Sequence, residues 1–504
     1  MKTLRFMARY WLNLLILVVF LPVPTNAQNQ GINNHWLMGY SSVGGLPFGN
    51  PRFDFFSGSP VITYDSLEME FNHTHANISD AQGNLLFYTN GVYIADATHD
   101  TMFYGSGLNP GPYAIDFDDG MMISQGALIL KKPGVNNLYY LFHNTADGYP
   151  LSSISYRLYM SIVDMDNMGG LGSVVIKNYA LINDSLTPGN ITACKHANGR
   201  DWWVICHRVN SNKYYKILFT PFGLPQVSSQ NIGAIRVDGA GQVKFSPDGN
   251  YFGYSYEKGG LDIFQFDRCT GNFTNILNDT VFNTLGFNSG LEFSPNSQFV
   301  YVCNSEDIYQ YDVTSPNVLA SKTVVAVYDG FLNPPPFQFG TYLVLPQLAP
   351  DGKIYITTGN GTFFFHTIDD PDLPGLSCNV NQHSVQIPAF YFNTLPNHPN
   401  YFLGALAGSP CDTLLGVGME ESEEINLAIA PNPVTDYGTL SFPVQNHEGQ
   451  LEIINSLGEI VIQSKIAPWS QFKKIDMENL PSGLYFCRIK WKEKQAVVKV
   501  IKSE

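Results

Sequence analysis

One short phrase recurs along this chain, and its recurrence narrows the folds open to it. "VKFSPDGNYFGYSY" at 243–256 returns as "LEFSPNSQFVYVC" at 291–303 and as "PQLAPDGKIYITT" at 346–358, with corners at Pro247, Pro295 and Pro350. In each copy an apolar run enters the corner and a second leaves it. Weaker copies lie at 76–96, 126–145 and 191–219. Proline holds φ near −65°, Asp or Asn bonds back to local N–H groups, and Gly takes the positive φ that a tight turn between strands requires. Asp248 is therefore read as a turn residue. Asn296 and Asp351 fill the same place, and a catalytic carboxylate has no need to recur in every unit.

A unit of three or four strands repeated every ~50 residues predicts an all-β ring of blades, a β-propeller. The alternative, a string of independent sandwiches, fits poorly with corners this regular and linkers this apolar. Composition agrees: 44% of the 504 residues are hydrophobic, 13% aromatic and only 14% charged, with abundant Gly and Pro. That balance suits many short strands joined by turns. Units read at about 60–96, 123–180, 189–228, 238–278, 288–325 and 341–370. A last one at 376–410, completed by an N-terminal strand near 35–42, brings the expectation to about seven blades. These units resemble the TolB-like and WD-repeat-like propellers of secreted bacterial proteins across residues 35–412, although the Trp-Asp dipeptide of a true WD repeat is missing. The resemblance implies a fold and leaves activity open.

The two ends read differently. "MKTLRFMARYWLNLLILVVFLPVPTNAQ" sets basic residues before an apolar run and small residues before Gln28, the order of a secretory signal, with cleavage expected after Ala27. The apolar run is short for a membrane span, and no later stretch would cross one. The net charge of −15 speaks against nucleic-acid binding. That charge lies outside residues 425–504, which hold nine basic against eight acidic side chains. An acidic stretch at 413–426 reads as a linker, so the expected division is a signal at 1–27, a propeller at 28–412 and a tail domain at 427–504. Tail strands alternate apolar and polar residues between close-set turns, as in a small Ig-like β-sandwich. Their phrases, "PNP" at 431–433, "IINSLGEIV", "LPSGLYFCRI" and the terminal "KVIK", closely resemble the type A C-terminal sorting domain of type IX secretion cargo. The resemblance places the sorting signal on Pro431, Asn432, Pro433, Gly458, Gly483, Leu484, Tyr485, Lys499 and Lys502. It implies a type IX translocon as partner and a Gram-negative outer surface or medium as destination, with the tail removed on the way.

Chemistry is harder to read. H-E-x-x-H, P-loop and G-x-S-x-G signals are all missing, and no catalytic residue, cofactor or metal site is assigned. His73 and His75 share one strand face at ligand spacing but lack an evident third ligand. Asp116, Asp118, Asp119, Asp164 and Asp166 stand before glycines without completing a calcium loop. The phrase "HANGRDWWVICHR" gathers His196, Arg200, Asp201, Trp202, Trp203 and His207 around one hairpin. The first five of these are candidate ligand contacts, against the plainer reading of an ion pair beside core aromatics. A tight hairpin through Asn198-Gly199 would face Cys194 with Trp203 and a looser turn would face it with Val204, so a Cys194–Cys206 bridge fits neither register well. Pairing among the seven cysteines is otherwise open. The expected function is an exported, non-enzymatic binder of protein or glycan. The alternative is an extracellular hydrolase or lyase acting from propeller loops, which would need two carboxylates in a deep axial pocket.

Overall fold

The computed structural model describes residues 31–503 apart from 57–59, 223–224, 237–240, 257–259, 281–288, 336, 413–426, 431, 443–448, 467–471 and 493. The expected signal at 1–27, the linker and Pro431 lie outside the described residues. Among those described, no helix is long and apolar enough to cross a membrane.

Seven antiparallel sheets follow one another between His35 and Phe392, each made from one contiguous stretch of chain. Blade 1 holds His35–Leu37, Asn50–Asp54 and Val61–Asp65; blade 2 holds Ala76–Ser79, Leu85–Thr89 and Ile94–Asp96. Four strands make each of the others. The first strands are Ala127–Lys131 in blade 3, Thr192–Lys195 in blade 4, Gly241–Phe245 in blade 5, Gly290–Phe293 in blade 6 and Pro346–Leu348 in blade 7. The fourth strands are, in the same order, Ser173–Leu186, Gln226–Arg236, Asn272–Asp279, Thr323–Val327 and Val380–Phe392. This is a seven-bladed β-propeller.

Burial follows position in the ring. Trp202–His207 and Phe299–Cys303, second strands of their blades, are wholly buried, because neighbouring blades cover both faces. Gln226–Arg236, an outermost strand, is largely exposed. Aromatic rings fill the seams: Phe142 against Phe219 (4.8 Å) between blades 3 and 4, and Tyr214 against Phe264 (5.4 Å) between blades 4 and 5. The same packing closes the ring, where Phe53 of blade 1 meets Phe365 (5.5 Å) and Tyr355 (5.9 Å) of blade 7.

Two expectations about the units are corrected. Residues 61–65 pair with 50–54 and so belong to blade 1, not with 76–96. Residues 376–410 form no blade. Asn379 takes a left-handed conformation (φ 58°) and returns the chain onto 361–368, so Val380–Phe392 becomes the outer strand of blade 7. The N-terminal strand stays in blade 1, and no sheet mixes strands from the two ends of the propeller.

The tail forms two sheets. One pairs 428–430, 437–441 and 472–476; the other is ordered 460–466, 449–455, 483–491 and 494–502. Leu440 and Ile475 of the first share a core with Leu451, Ile453, Cys487 and Trp491 of the second.

Candidate functional site

Propellers converge on their axis, where the first strands lie side by side. Here the chain itself occupies that axis. Residues 393–399 are all buried, and their hydrogen bonds trace a path. Thr394 Oγ1 reaches the carbonyls of Phe71 and Asn72, in the connection entering blade 2. Asn397 N–H donates to His75 O (3.1 Å), and its side-chain amide donates to Ala127 O (2.9 Å) and Ile191 O (2.8 Å), at the beginnings of the first strands of blades 3 and 4. His398 Nε2 lies 3.0 Å from Asn77 O in blade 2, and Tyr401 hydroxyl donates to Ile129 O, mid-strand in blade 3 (3.0 Å). Asn400 Nδ2 then donates to Pro247 O (2.6 Å), beyond the end of blade 5's first strand. Further on, Arg268 donates to Gly404 O (2.5 Å), Leu406 N–H donates to Ala197 O (2.8 Å), and Cys411 is disulfide-bonded to Cys269. The partners move from the starts of first strands to their ends. Residues 393–402 are therefore a strap threaded through the channel, supplying donors to carbonyls of the inner strands, and 403–412 carry it on to the surface, where 404–408 are exposed.

The strap takes the side of blades 2, 3 and 4. Beside it lie a cavity of about 50 Å³ lined by Asn33, Thr192, Lys244, Glu292, Gln347 and His398, and another of about 20 Å³ lined by His73, Gln125, Gln242 and Asn397. Lys244 and Gln347 line both and are hydrogen-bonded to each other between them. Lys244 Nζ also sits 3.1 Å from Glu292, whose carboxylate accepts the N–H groups of Phe293 (2.9 Å) and Leu348 (3.0 Å). The pair is buried and fully partnered, the condition under which buried charges are tolerated. Glu292 is the one carboxylate among the lining residues, so they hold no two-carboxylate arrangement. The space suits a few water-sized groups and is far below that of a sugar or peptide site.

The corners behave alike. Asp248 Oδ1 accepts from Asn250 N–H (3.0 Å), Asn296 Oδ1 from Gln298 N–H (2.9 Å) and Asp351 Oδ1 from Lys353 N–H (3.1 Å). The next residue has positive φ each time: Gly249 75°, Ser297 63°, Gly352 83°. In the hairpin, Cys194 pairs with Trp203. Trp202 and Trp203 are buried, Trp203 Nε1–H donating to Arg268 O (2.9 Å). Arg200 holds Asp201 at 2.7 Å, Asn198 donates to the same carboxylate (2.8 Å), and His196 Nε2 lies 3.1 Å from Cys269 O. His196 and Arg200 are the members that reach solvent.

His73 and His75 precede the first strand of blade 2 rather than sharing a strand face: His73, half-buried, lies edge-on to Phe392, and His75, buried, packs on Phe71. Burial pushes the His73 pKa down to about 4. Among the described residues no three His, Cys, Asp or Glu side chains gather as a metal cluster. Sequence spacing gave no hint of one suggestive constellation. His143 is hydrogen-bonded to Ser161 (2.9 Å) and Asn109 (2.8 Å), the connectivity of a nucleophile, base and orienting group. All three are fully buried, His143 and Ser161 in blade 3 and Asn109 in the connection before it, and desolvation takes the His143 pKa down to about 3. No substrate reaches them, so they are structural.

The tail's motif residues converge. Asn432 donates to Lys499 O (3.0 Å) and accepts from Ile501 N–H (2.9 Å). Gly483 pairs with Lys502, Leu484 with Ile501, and Tyr485 with both Val500 and Asn455, the residue that opens the Gly458 turn. Residues 428–503 match the family of secretion system C-terminal sorting domains. The chain carries a sorting domain. Secretion by the type IX system to the cell surface or beyond follows from that tail. None of the curated proteins matches the chain in sequence. Among solved structures it is similar to a candidate 6-phosphogluconolactonase of Bacteroides uniformis (13% identity, 70% of this chain and 96% of that one, TM-score 0.45). It is also similar to another of Bacteroides fragilis (11%, 72% and 97%, 0.44). The β-propeller domain of Cps50 (Swd1) from Myceliophteria thermophila aligns at 11% identity over 63% of this chain and 92% of that one, with TM-score 0.37.

Proposed function

We propose that this sorted propeller is a non-enzymatic binding module for a protein or glycan ligand. It is exported by an N-terminal signal peptide, and its Ig-like tail presents it to the type IX translocon of a Gram-negative bacterium. The observation that carries the reading is the filled axis. The deep central pocket that a loop-built hydrolase would use is taken by residues 393–402, and the charges left there, Lys244 and Glu292, are tied to each other and to backbone. Binding is left to the rim and the outer faces, where His196 and Arg200, the half-buried members of the hairpin, are proposed contacts. The test screens the secreted chain on a glycan array and against surface-protein extracts, beside glycosidase, lyase and peptidase assays. Saturable binding without turnover is expected. Turnover abolished by Glu292→Gln would replace this reading with an axial enzyme.

A further inference from the structure

We propose that the outer edge of blade 1, Val61–Asp65, takes an extended peptide of another polypeptide as the missing fourth strand of that blade. The inference rests on the binding reading above and narrows its ligand to polypeptide. Every other blade is either four-stranded or followed by its own loop at the edge. In blades 3 to 7 the outermost strand is bulged against its neighbour, with register breaks at Val174/Ile176, Ser211/Lys213, Ile263/Phe264, Ile308/Tyr309 and Thr362/Phe364. Such bulges discourage strand addition. Blade 2 has three strands, but its own loop fills the next position: Met102 N–H donates to Ile94 O (2.9 Å), Ile94 N–H donates to Gly105 O (3.0 Å), and Ala95 bridges Thr101. Blade 1 has three strands, its outermost pair, Asn50–Asp54 against Val61–Asp65, is in unbroken register, and among the described residues no main-chain partner lies on its outer side.

The free groups can be named. Met38 N–H donates to Pro51 O (3.2 Å), so Pro51 faces the inner strand, as does Phe53 two residues on. By alternation Asn50, Arg52 and Asp54 turn their main chain toward Asp65, Thr63 and Val61. Pro51, which has no N–H, is then correctly placed away from that ladder. The N–H and C=O groups of Ile62 and Tyr64 are left pointing outward, four groups at strand spacing. Val61 is 55% and Tyr64 39% exposed, so the edge is open. Ile62 packs against the seam between blades 7 and 1, whereas Arg52 and Asp65 pair at 3.1 Å on the opposite side of the sheet. An incoming strand would therefore alternate, apolar toward the Ile62 side and polar toward the other. A main chain is the ligand that answers a ladder of this kind, since its own N–H and C=O repeat at the same spacing; a glycan has no such repeat.

The test pans a displayed random dodecapeptide library on the full secreted chain and synthesises the recovered peptides with a photo-crosslinker. The expected peptides alternate apolar and polar residues, crosslink within 60–66, and bind Tyr64→Pro roughly tenfold or more weakly, as loss of one or two hydrogen bonds implies, while Tyr64→Phe binds normally. Should Tyr64→Pro fail to fold, the wild-type chain serves with peptides N-methylated at alternate residues: one set must lose binding and the complementary set keep it. Crosslinks elsewhere, or equal loss from both sets, would overturn the edge while leaving the binding reading intact. A concentration-dependent dimer crosslinked through 60–66 would overturn it in favour of a second copy of this chain. Glycan binding with no peptide recovered would also overturn it.

Discussion

At the scale of single residues, identical turns carry different burdens. Gly249 and Gly352 occupy equivalent corners with nearly equal positive φ, yet a Cβ on Gly249 would lie 2.7 Å from Leu403, 2.8 Å from Cys194 Sγ and 2.9 Å from Arg268, whereas one on Gly352 would meet nothing. Gly352→Ala should cost about 1 kcal/mol, the price of a left-handed alanine, and Gly249→Ala roughly 2–4 kcal/mol, because the strap must also give way. Denaturant midpoints of the two variants check the difference; equal losses would mean that Leu403 does not sit on the corner. Asp248→Asn keeps the oxygen that accepts from Asn250 N–H but loses the one that accepts from Asn250 Nδ2 (2.7 Å), so it should cost no more than about 1 kcal/mol. Histidines set the acid response. Burial lowers the pKa of His73, His207 and His366 to about 4 and of His143 and His398 to about 3. The unfolded chain takes up protons near pH 6.5 that the folded chain refuses, so stability falls as pH drops from about 6.5 toward 4. Urea unfolding at pH 7 and pH 5 should show a clearly lower midpoint at pH 5. A flat or rising profile would contradict these burials.

Among the elements, blades and strap differ in how far the sequence announces them. Corners are legible because a turn is made by adjacent residues: Pro247, Asp248 and Gly249 specify it without help from the rest of the chain. The hairpin at Asn198-Gly199 was legible for the same reason, but its register, open between Trp203 and Val204 opposite Cys194, is decided by the fold in favour of Trp203. The strap was not legible. "NTLPNHPNYFLG" at 393–404 has no period, and its structure comes from carbonyls on four blades far away in sequence. The Cys269–Cys411 bridge was open among many pairings and is decided only by the path of that strap. Arg268 acts as its clasp, donating to Lys195 O (2.9 Å), His196 O (3.2 Å) and Gly404 O. Arg268→Met should destabilise by roughly 2 kcal/mol, since three part-buried carbonyls lose their donor. Cys411→Ser, freeing one end of a 142-residue separation, should cost up to about 5 kcal/mol in the chain-entropy account. Both should speed proteolysis within 404–412 while leaving the tail's cleavage pattern alone. Unchanged cutting there would mean that the strap is held by something other than this clasp.

For the whole molecule, address and cargo are separate pieces of chemistry. The tail has its own core, from Ile429 to Val500, and its motif residues meet where Asn432 joins the entry strand to the last one. That juxtaposition gives a physical reason for "PNP" and "KVIK" to occur together: each completes the other's hydrogen bonds. Asn432→Ala should loosen both chain ends and reduce export of the full chain, measured as the fraction reaching the surface or medium, while the propeller's stability stays as it was. The propeller, for its part, is closed by ring packing between blades 1 and 7 and by a strap along its axis, with no strand shared between its ends. A ring so filled has little room for axial chemistry, and that is the claim from which the binding reading follows. The measurement that bears on it most directly is amide hydrogen exchange of the oxidised full chain, followed by mass spectrometry of peptides covering 393–402. Exchange as slow as that of the inner strands 127–131 and 192–195 is the predicted result. Exchange as fast as that of the exposed outer strand 226–236 would place the strap outside the channel and return the axis to a substrate.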